Sequence, residues 1–505
     1  MSSKTLLGAI LVGFFVTQQC SPTDWAHVHD LTLGGIRHLY SLEIADAMQA
    51  FDSVSRIAPS DPRGPFFQSM VHFYLYGLNR EEKELETFLD MSDRVIDVCE
   101  RLLERNENDS NVKFYLGGIY GYRGLAYHTN GSYLKAAQNG RKGYLLLEEA
   151  VRQHPDLYDA QMGFGLFRYL LAKLPKSMRW ILSLLGFEGD LEGGLAALQL
   201  AAEKGVYTRT EAKLFLAQFL FTEGRQDSAL RYLNELRREY PTNTLFLVLY
   251  AFWQHRLDNL DEAMNAARMA IELNKKNNVQ YGQELAYSTL GSIHFTRNDF
   301  AQAATYYKRY MAMTRSDDRT PNRTFYRAAL ACEIAGDRTA AVGLYSRMRK
   351  VDESAWDIQT YRRGKDLLTR PITAAEIAIV KGENEFSQKN YTRAIEFYNE
   401  AVRLSADNTD IQARALYGLL QALTEAGRLT DALDTAKRLV MLNPPVERWI
   451  VPSTWFRVGQ IHARLGNPAE ATLAFDRVKE YDDYEFQERL EDRVREEQAK
   501  LSFTK

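Results

Sequence analysis

Residues 375–408 read AEIAIVKGENEFSQKNYTRAIEFYNEAVRLSADN. Two stretches with helical periodicity flank Asn390, a turn-forming residue in a short connection. The first carries Ala378, Gly382 and Glu385, and the second carries Ala394, Tyr398 and Ala401. Spacings of i, i+4 and i+7 put the second set on one stripe of a helix. Gly382 and Ala394 are small, as two helices require where they cross closely. The stretch therefore predicts a pair of helices joined by a tight turn.

The same frame recurs on both sides. It gives Trp455, Val458, Gly459, Ala471 and Phe475 over 452–485, and Tyr287, Leu290, Gly291, Ala303 and Tyr307 over 284–317. Over 322–355 it gives Phe325, Ala329, Ala341 and Tyr345; over 210–243, Ala217, Ala229, Leu233 and Pro241; over 244–277, Leu247, Ala251, Ala263 and Ala270. Residues 413–446 keep Ala432 and Pro444, but bulky Leu420 replaces the small residue of the first helix. From Ala229 to Ala471 the alanines fall 34 to 40 residues apart, except for one interval of 53 between Ala341 and Ala394. A small residue fixed at a period just above 34 marks a stacked helical array. The extra material, near 354–374 with Trp356, Tyr361 and Pro371, reads as an inserted helix or linker and as a hinge or sub-domain boundary.

The pattern Trp455-x-x-Val458-Gly459, then Ala471, then Phe475 resembles the tetratricopeptide repeat. That resemblance implies an all-α, tetratricopeptide-type helix-turn-helix solenoid wound as a right-handed superhelix. Regular repeats are expected over 206–353 and 375–483, with a looser version over 21–205. In the looser part, 28–61 keeps Gly35, Ala47, Phe51 and Pro59, and 65–105 reads as a helix pair around Cys99. Residues 111–155 carry Phe114, Gly118, Leu147, Ala150 and Pro155, with an apparent insertion holding Tyr122, Arg123, Tyr127 and the turn Asn130-Gly131. The charged tail, 484–505, with Leu490 and Val494 four apart, is expected to cap the last apolar face.

Bulk properties fit a folded array. The 505 residues are 26% charged and 45% hydrophobic, with only 13 prolines, which argues against extended disorder. A net charge of −3 announces neither nucleic acid nor a strongly basic partner. Lys4 precedes an apolar run, Leu6–Val16, too short to span a bilayer comfortably. Residues 1–20 thus read as an export signal, with Cys20 placed where a bacterial lipoprotein carries its lipid. Thr17-Gln18-Gln19 departs from the usual pattern before such a cysteine, so secretion with cleavage nearby and an uncleaved anchor stay open. Cys99 and Cys332 lie too far apart to meet in a solenoid and read as core residues.

No phosphate-binding loop, nucleophile elbow, His-Glu-x-x-His or Cys-x-x-Cys motif occurs, so no catalytic residue and no cofactor are assigned. His27, His29 and Asp30 lack further ligands and read as a helix start rather than a metal site. Through the resemblance, the first helices are expected to line a peptide groove. Its candidate positions are Leu214, Gln218, Val248, Phe252, Tyr326, Leu330, Tyr417, Gln421, Phe456 and Gln460. The Lys and Asn that the family uses to grip a terminal carboxylate are missing from all seven repeats. The apolar, basic segment 164–187 reads as a buried hairpin, with a membrane-surface helix as the rival. The expectation is a non-enzymatic protein-interaction scaffold of a bacterial envelope, periplasmic or outer-membrane-anchored, touching membrane only through a lipid anchor. A glycan- or ligand-capturing envelope lipoprotein is the alternative.

Overall fold

The computed structural model describes residues 24–174, 187, 189–314, 320–350 and 354–503. The export segment with Cys20 and residues 175–186 of the basic segment lie outside them. Among the described residues there are 24 helices and no strand. The chain forms two compact units, one up to Phe246 and one from Leu247.

The first unit is five helical hairpins. They are α1 (Trp25–Tyr40) with α2 (Ile44–Ile57), α3 (Arg63–Asn79) with α4 (Glu82–Arg105), α5 (Ser110–Thr129) with α6 (Tyr133–Gln153), α7 (Tyr158–Lys173) with α8 (Leu191–Lys204), and α9 (Arg209–Thr222) with α10 (Gln226–Glu239). Each hairpin packs on the next, as a stacked array requires. The unit also returns on itself. Tyr40 at the end of α1 packs on Tyr240 and Phe246, and Asn243 Nδ2 donates to the Tyr40 carbonyl at 2.7 Å. The apparent insertion around Tyr122 is an extension of α5, so that α5 and α6 run 20 and 21 residues and meet at Asn130-Gly131. Gly131 has φ +74°, a conformation that favours glycine.

The boundary falls within α11 (Thr244–Arg256), and the second unit continues with α12 (Leu260–Asn277), α13 (Gln283–Thr296), α14 (Phe300–Met313), α15 (Asn322–Ile334), α16 (Arg338–Ser346) and α17 (Ala355–Thr369). It ends with α18 (Ala374–Ser387), α19 (Tyr391–Leu404), α20 (Thr409–Glu425), α21 (Leu429–Val440), α22 (Ile450–Arg464), α23 (Pro468–Val478) and α24 (Gln487–Phe503). The stretch expected as a hinge is α17, packed on α15 and α16, and the boundary between units falls at 246/247 instead. α24 packs on α22 and α23 with Leu490 and Val494 buried. Cys99 and Cys332 are buried, free thiols.

One packing device recurs. A Cβ added to Gly35, Gly291, Gly382 or Gly459 would fall 2.5, 2.8, 2.9 or 2.4 Å from the ring of Phe51, Tyr307, Tyr398 or Phe475. Each ring stands four residues after the frame alanine of its second helix. These glycines therefore leave room for an aromatic ring, beyond letting two backbones approach. The alanines Ala47, Ala303, Ala394 and Ala471 are fully buried beside them.

Candidate functional site

Where it occurs, the packing device turns one side of the first helix toward its partner helix. Seven groove candidates keep partial or full exposure: Leu214, Phe252, Tyr326, Tyr417, Gln421 and Gln460 partly, and Gln218 fully. Val248, Leu330 and Phe456 are at most 2% exposed and belong to the core, which corrects their assignment to the groove. Phe456 shows why: its ring meets Phe475, and the Arg493 guanidinium of α24 covers it at 4.5 Å. Tyr326 is partly exposed, but a Cβ at Gly364 of α17 would lie 3.7 Å from its ring. The chain's own helix therefore lies against that groove position.

α17 reaches from this point to the loops before α22 and α24. Arg363 Nε donates to Glu447 Oε1 at 3.0 Å, and Gln359 Nε2 donates to Oε2 at 3.2 Å. Trp449 Nε1 donates to the same Oε2 at 2.7 Å, and Arg362 Nη2 stands 3.5 Å from it. Arg362 Nη1 also pairs with Glu485. The Glu447 side chain is 5% exposed. Burial works to raise its pKa, but Arg363, Arg414 and the Trp449 donor outweigh burial and hold the carboxyl below its ordinary range. An aromatic box adjoins the charges. The Phe486 ring lies 4.8 Å from Trp356 of α17 and 5.7 Å from Trp449, which meets Tyr417 edge-on at 5.2 Å. Arg362, Arg363, Glu447 and Phe486 were not singled out from sequence, because each looks like an ordinary surface residue in its own repeat.

Nearer the start of this unit the same side is basic. Arg323 and Arg327 stand one turn apart on α15, and His255 and Arg256 end α11. Burial and the charges of Arg327, Arg323 and Arg256 push the His255 imidazole down to about 4. Arg327 repels Arg323 and lowers its pKa in turn. Tyr307 and Ser292 hydroxyls meet at 3.1 Å, and Tyr307 feels both arginines.

In the first unit the inner side is filled. Tyr122 OH donates to the partly buried Glu211, and burial pushes that carboxyl up to about 7 despite the hydrogen bond. Tyr207 bonds His29 Nδ1 at 2.7 Å, beside the bidentate Arg63–Asp61 pair. His29 is thus engaged away from His27, while Asp24 caps α1 by accepting from the His27 amide, as the reading of a helix start requires. His38, Glu43 and Asp46 bring ligand atoms within 4.8 Å of one another, but His38 Nδ1 and Glu43 Oε2 already pair in solvent at 2.5 Å. Among the described residues, no helix is long and apolar enough to cross a membrane.

Residues 159–355 match the family model described as Iml2/Tetratricopeptide repeat protein 39, and residues 375–408 match the tetratricopeptide repeat itself. No curated protein matches the chain. Among solved structures it is similar to a tetratricopeptide repeat protein from Parabacteroides merdae, at 14% identity over 58% of this chain and 98% of that one, with a TM-score of 0.25. It is also similar to human IFIT1, solved as a dimer with m7Gppp-AAAA, at 12% identity over 92% and 96% with a TM-score of 0.36. A third is yeast Tom70, at 14% identity over 95% and 97% with a TM-score of 0.26. The two family matches fall on the repeats that share the buried alanines and the glycine–aromatic crossings: the chain is a tetratricopeptide-repeat protein.

Proposed function

We propose that this chain is an exported, non-enzymatic scaffold of a bacterial cell envelope, held at a membrane by lipid on Cys20, that binds a peptide or helix of a protein partner. One observation carries the reading. Within each unit, first helices bury their alanines and leave side chains exposed in part or in full: Leu214 and Gln218 in the first unit, and Phe252, Tyr417, Gln421 and Gln460 in the second. Apolar and amide side chains such as Tyr417, Gln421 and Gln460, on the neighbouring first helices α20 and α22, suit an extended peptide or a helix laid across them.

A photo-cross-linking amino acid placed at Gln218, Phe252 or Gln421 in cells tests this. Arg231 and Glu396, exposed on second helices, serve as controls. One polypeptide should be trapped from the groove positions and not from the controls, and in the membrane fraction. Changing Cys20 to serine should move the product to the soluble fraction. Equal trapping from both helix faces removes the groove, and membrane retention of the serine variant removes the lipid anchor.

A further inference from the structure

α17 is held differently from its neighbours. Of its fifteen residues only Gln359, Gly364 and Leu367 are buried, and Leu367 is the sole aliphatic among them. By contrast α18 buries eight residues, including Ala375, Ala378, Ile379 and Val380. Trp356 is 56% exposed even while it touches Phe486. Leu367, with Tyr361 and Leu368 beside it, packs on the core of α15 and α16, while the exposed side of the helix is fastened by its arginines to Glu447 and Glu485 and by one aromatic contact. Segments with little buried apolar surface open at the lowest cost in a fold.

The seat fits α17 imperfectly. Phe486 holds φ +71°, a left-handed conformation strained for a bulky residue, and its ring is clamped by Trp356 and Trp449. An open surface cleft of about 520 Å³ lies at the same loops, lined by Arg362, Val446, Arg448, Asp483, Tyr484, Glu485 and Gln487. Buried Arg362 Nε and Tyr484 Oη have no hydrogen-bond partner among the described residues. Glu447 itself is nearly sealed from water, so a deprotonated carboxylate there demands a cation.

We infer that α17 occupies in cis the seat of a partner helix, and that the partner carries the same chemistry: an aromatic side chain followed six and seven residues later by adjacent arginines, as Trp356 precedes Arg362 and Arg363. This rests on the scaffold reading above and names the partner's recognition element. The acidic, aromatic seat of Glu447, Glu485, Trp449 and Phe486 is complementary to that helix in charge and shape. α17 then sets a threshold, since a partner must displace it before it binds.

The test uses the full chain and a fluorescent peptide with the sequence of residues 354–370. A chain carrying Arg362→Ala and Arg363→Ala should bind this peptide about tenfold tighter than the unaltered chain, by anisotropy. Adding Glu447→Gln should remove that gain, and a peptide with alanines for its two arginines should not bind. Equal binding by opened and unaltered chains, or binding insensitive to Glu447→Gln, overturns the inference. Should the opened chain fail to fold, hydrogen exchange on the unaltered chain decides. Amides of α17 should be about tenfold less protected than those of α18, and less again as NaCl rises from about 0.05 to about 0.5 M; equal protection refutes it. Trapping at Gln218 or Phe252 without peptide binding would sink this inference and leave the scaffold standing.

Discussion

At the scale of single residues, the repeats obey a rule of complementary volume. Glycine in the first helix faces an aromatic ring in the second at Gly291–Tyr307, Gly382–Tyr398 and Gly459–Phe475. Where the first helix carries Leu420, the corresponding second-helix position is Ala436, and both are buried. Large meets small either way round, which keeps the interior at native density. We therefore expect Gly459→Leu alone to cost roughly 1–3 kcal/mol by overpacking against Phe475. Phe475→Ala alone should cost roughly 3–5 kcal/mol by leaving a cavity. The double variant copies the Leu420–Ala436 arrangement, so chemical denaturation should show it destabilised by less than the sum of the two. Strict additivity would mean that the two side chains do not share one space. This part of the fold was legible in the sequence, because both members of each crossing lie within one short repeat and recur. The burial of Val248, Leu330 and Phe456 was not. A frame position says which side of a helix a residue is on, and neighbours from other helices decide whether that side is covered, as Arg493 covers Phe456.

At the scale of elements, α17 and the start of α18 separate local from distant information. α18 opens on a capping box: Thr373 accepts from the Glu376 amide at 3.2 Å, and Glu376 accepts from the Thr373 amide at 2.9 Å. Glu376 also holds Arg370 through two contacts of 2.8 Å, tying the end of α17 to the same cap. That box is written in four consecutive residues, Thr373 to Glu376, and is a recognisable helix start. Thr373→Ala should lower stability by about 1 kcal/mol. Urea denaturation of the full chain checks this, and a loss indistinguishable from zero would show that Arg370 alone positions Glu376. The seat of α17 had no such signature. Its arginines reach carboxylates 84 and 123 residues further along the chain, and no local periodicity announces such a pair. Hence the insertion was visible as an interruption of the alanine spacing, while its destination was not.

At the scale of the molecule, each compact unit holds a buried group whose pKa is shifted in the opposite sense to the other's. In the first, Glu211 has its pKa raised by burial to about 7 from 4.5. The folded unit holds this proton more tightly than the unfolded chain does. The stability it contributes is present below about pH 4.5 and is lost as pH rises through about 7, a swing on the order of 3 kcal/mol. In the second, His255 has its pKa lowered by burial and three arginines to about 4 from 6.5. Here the unfolded chain binds the proton better. That contribution is present above about pH 6.5 and is lost as pH falls through about 4. Between pH 7 and pH 5 the first unit should therefore gain stability while the second loses it. Amide protection factors, read separately for α9 and for α13, should move in opposite directions over that range. Glu211→Gln keeps an acceptor for the Tyr122 hydroxyl while removing the titration, so it should flatten the response of α9 and raise its protection at pH 8. An α9 response to pH that survives Glu211→Gln unchanged would mean that Glu211 is not the group that titrates, and that the buried tyrosine-rich interior around Tyr122 carries its charge without cost.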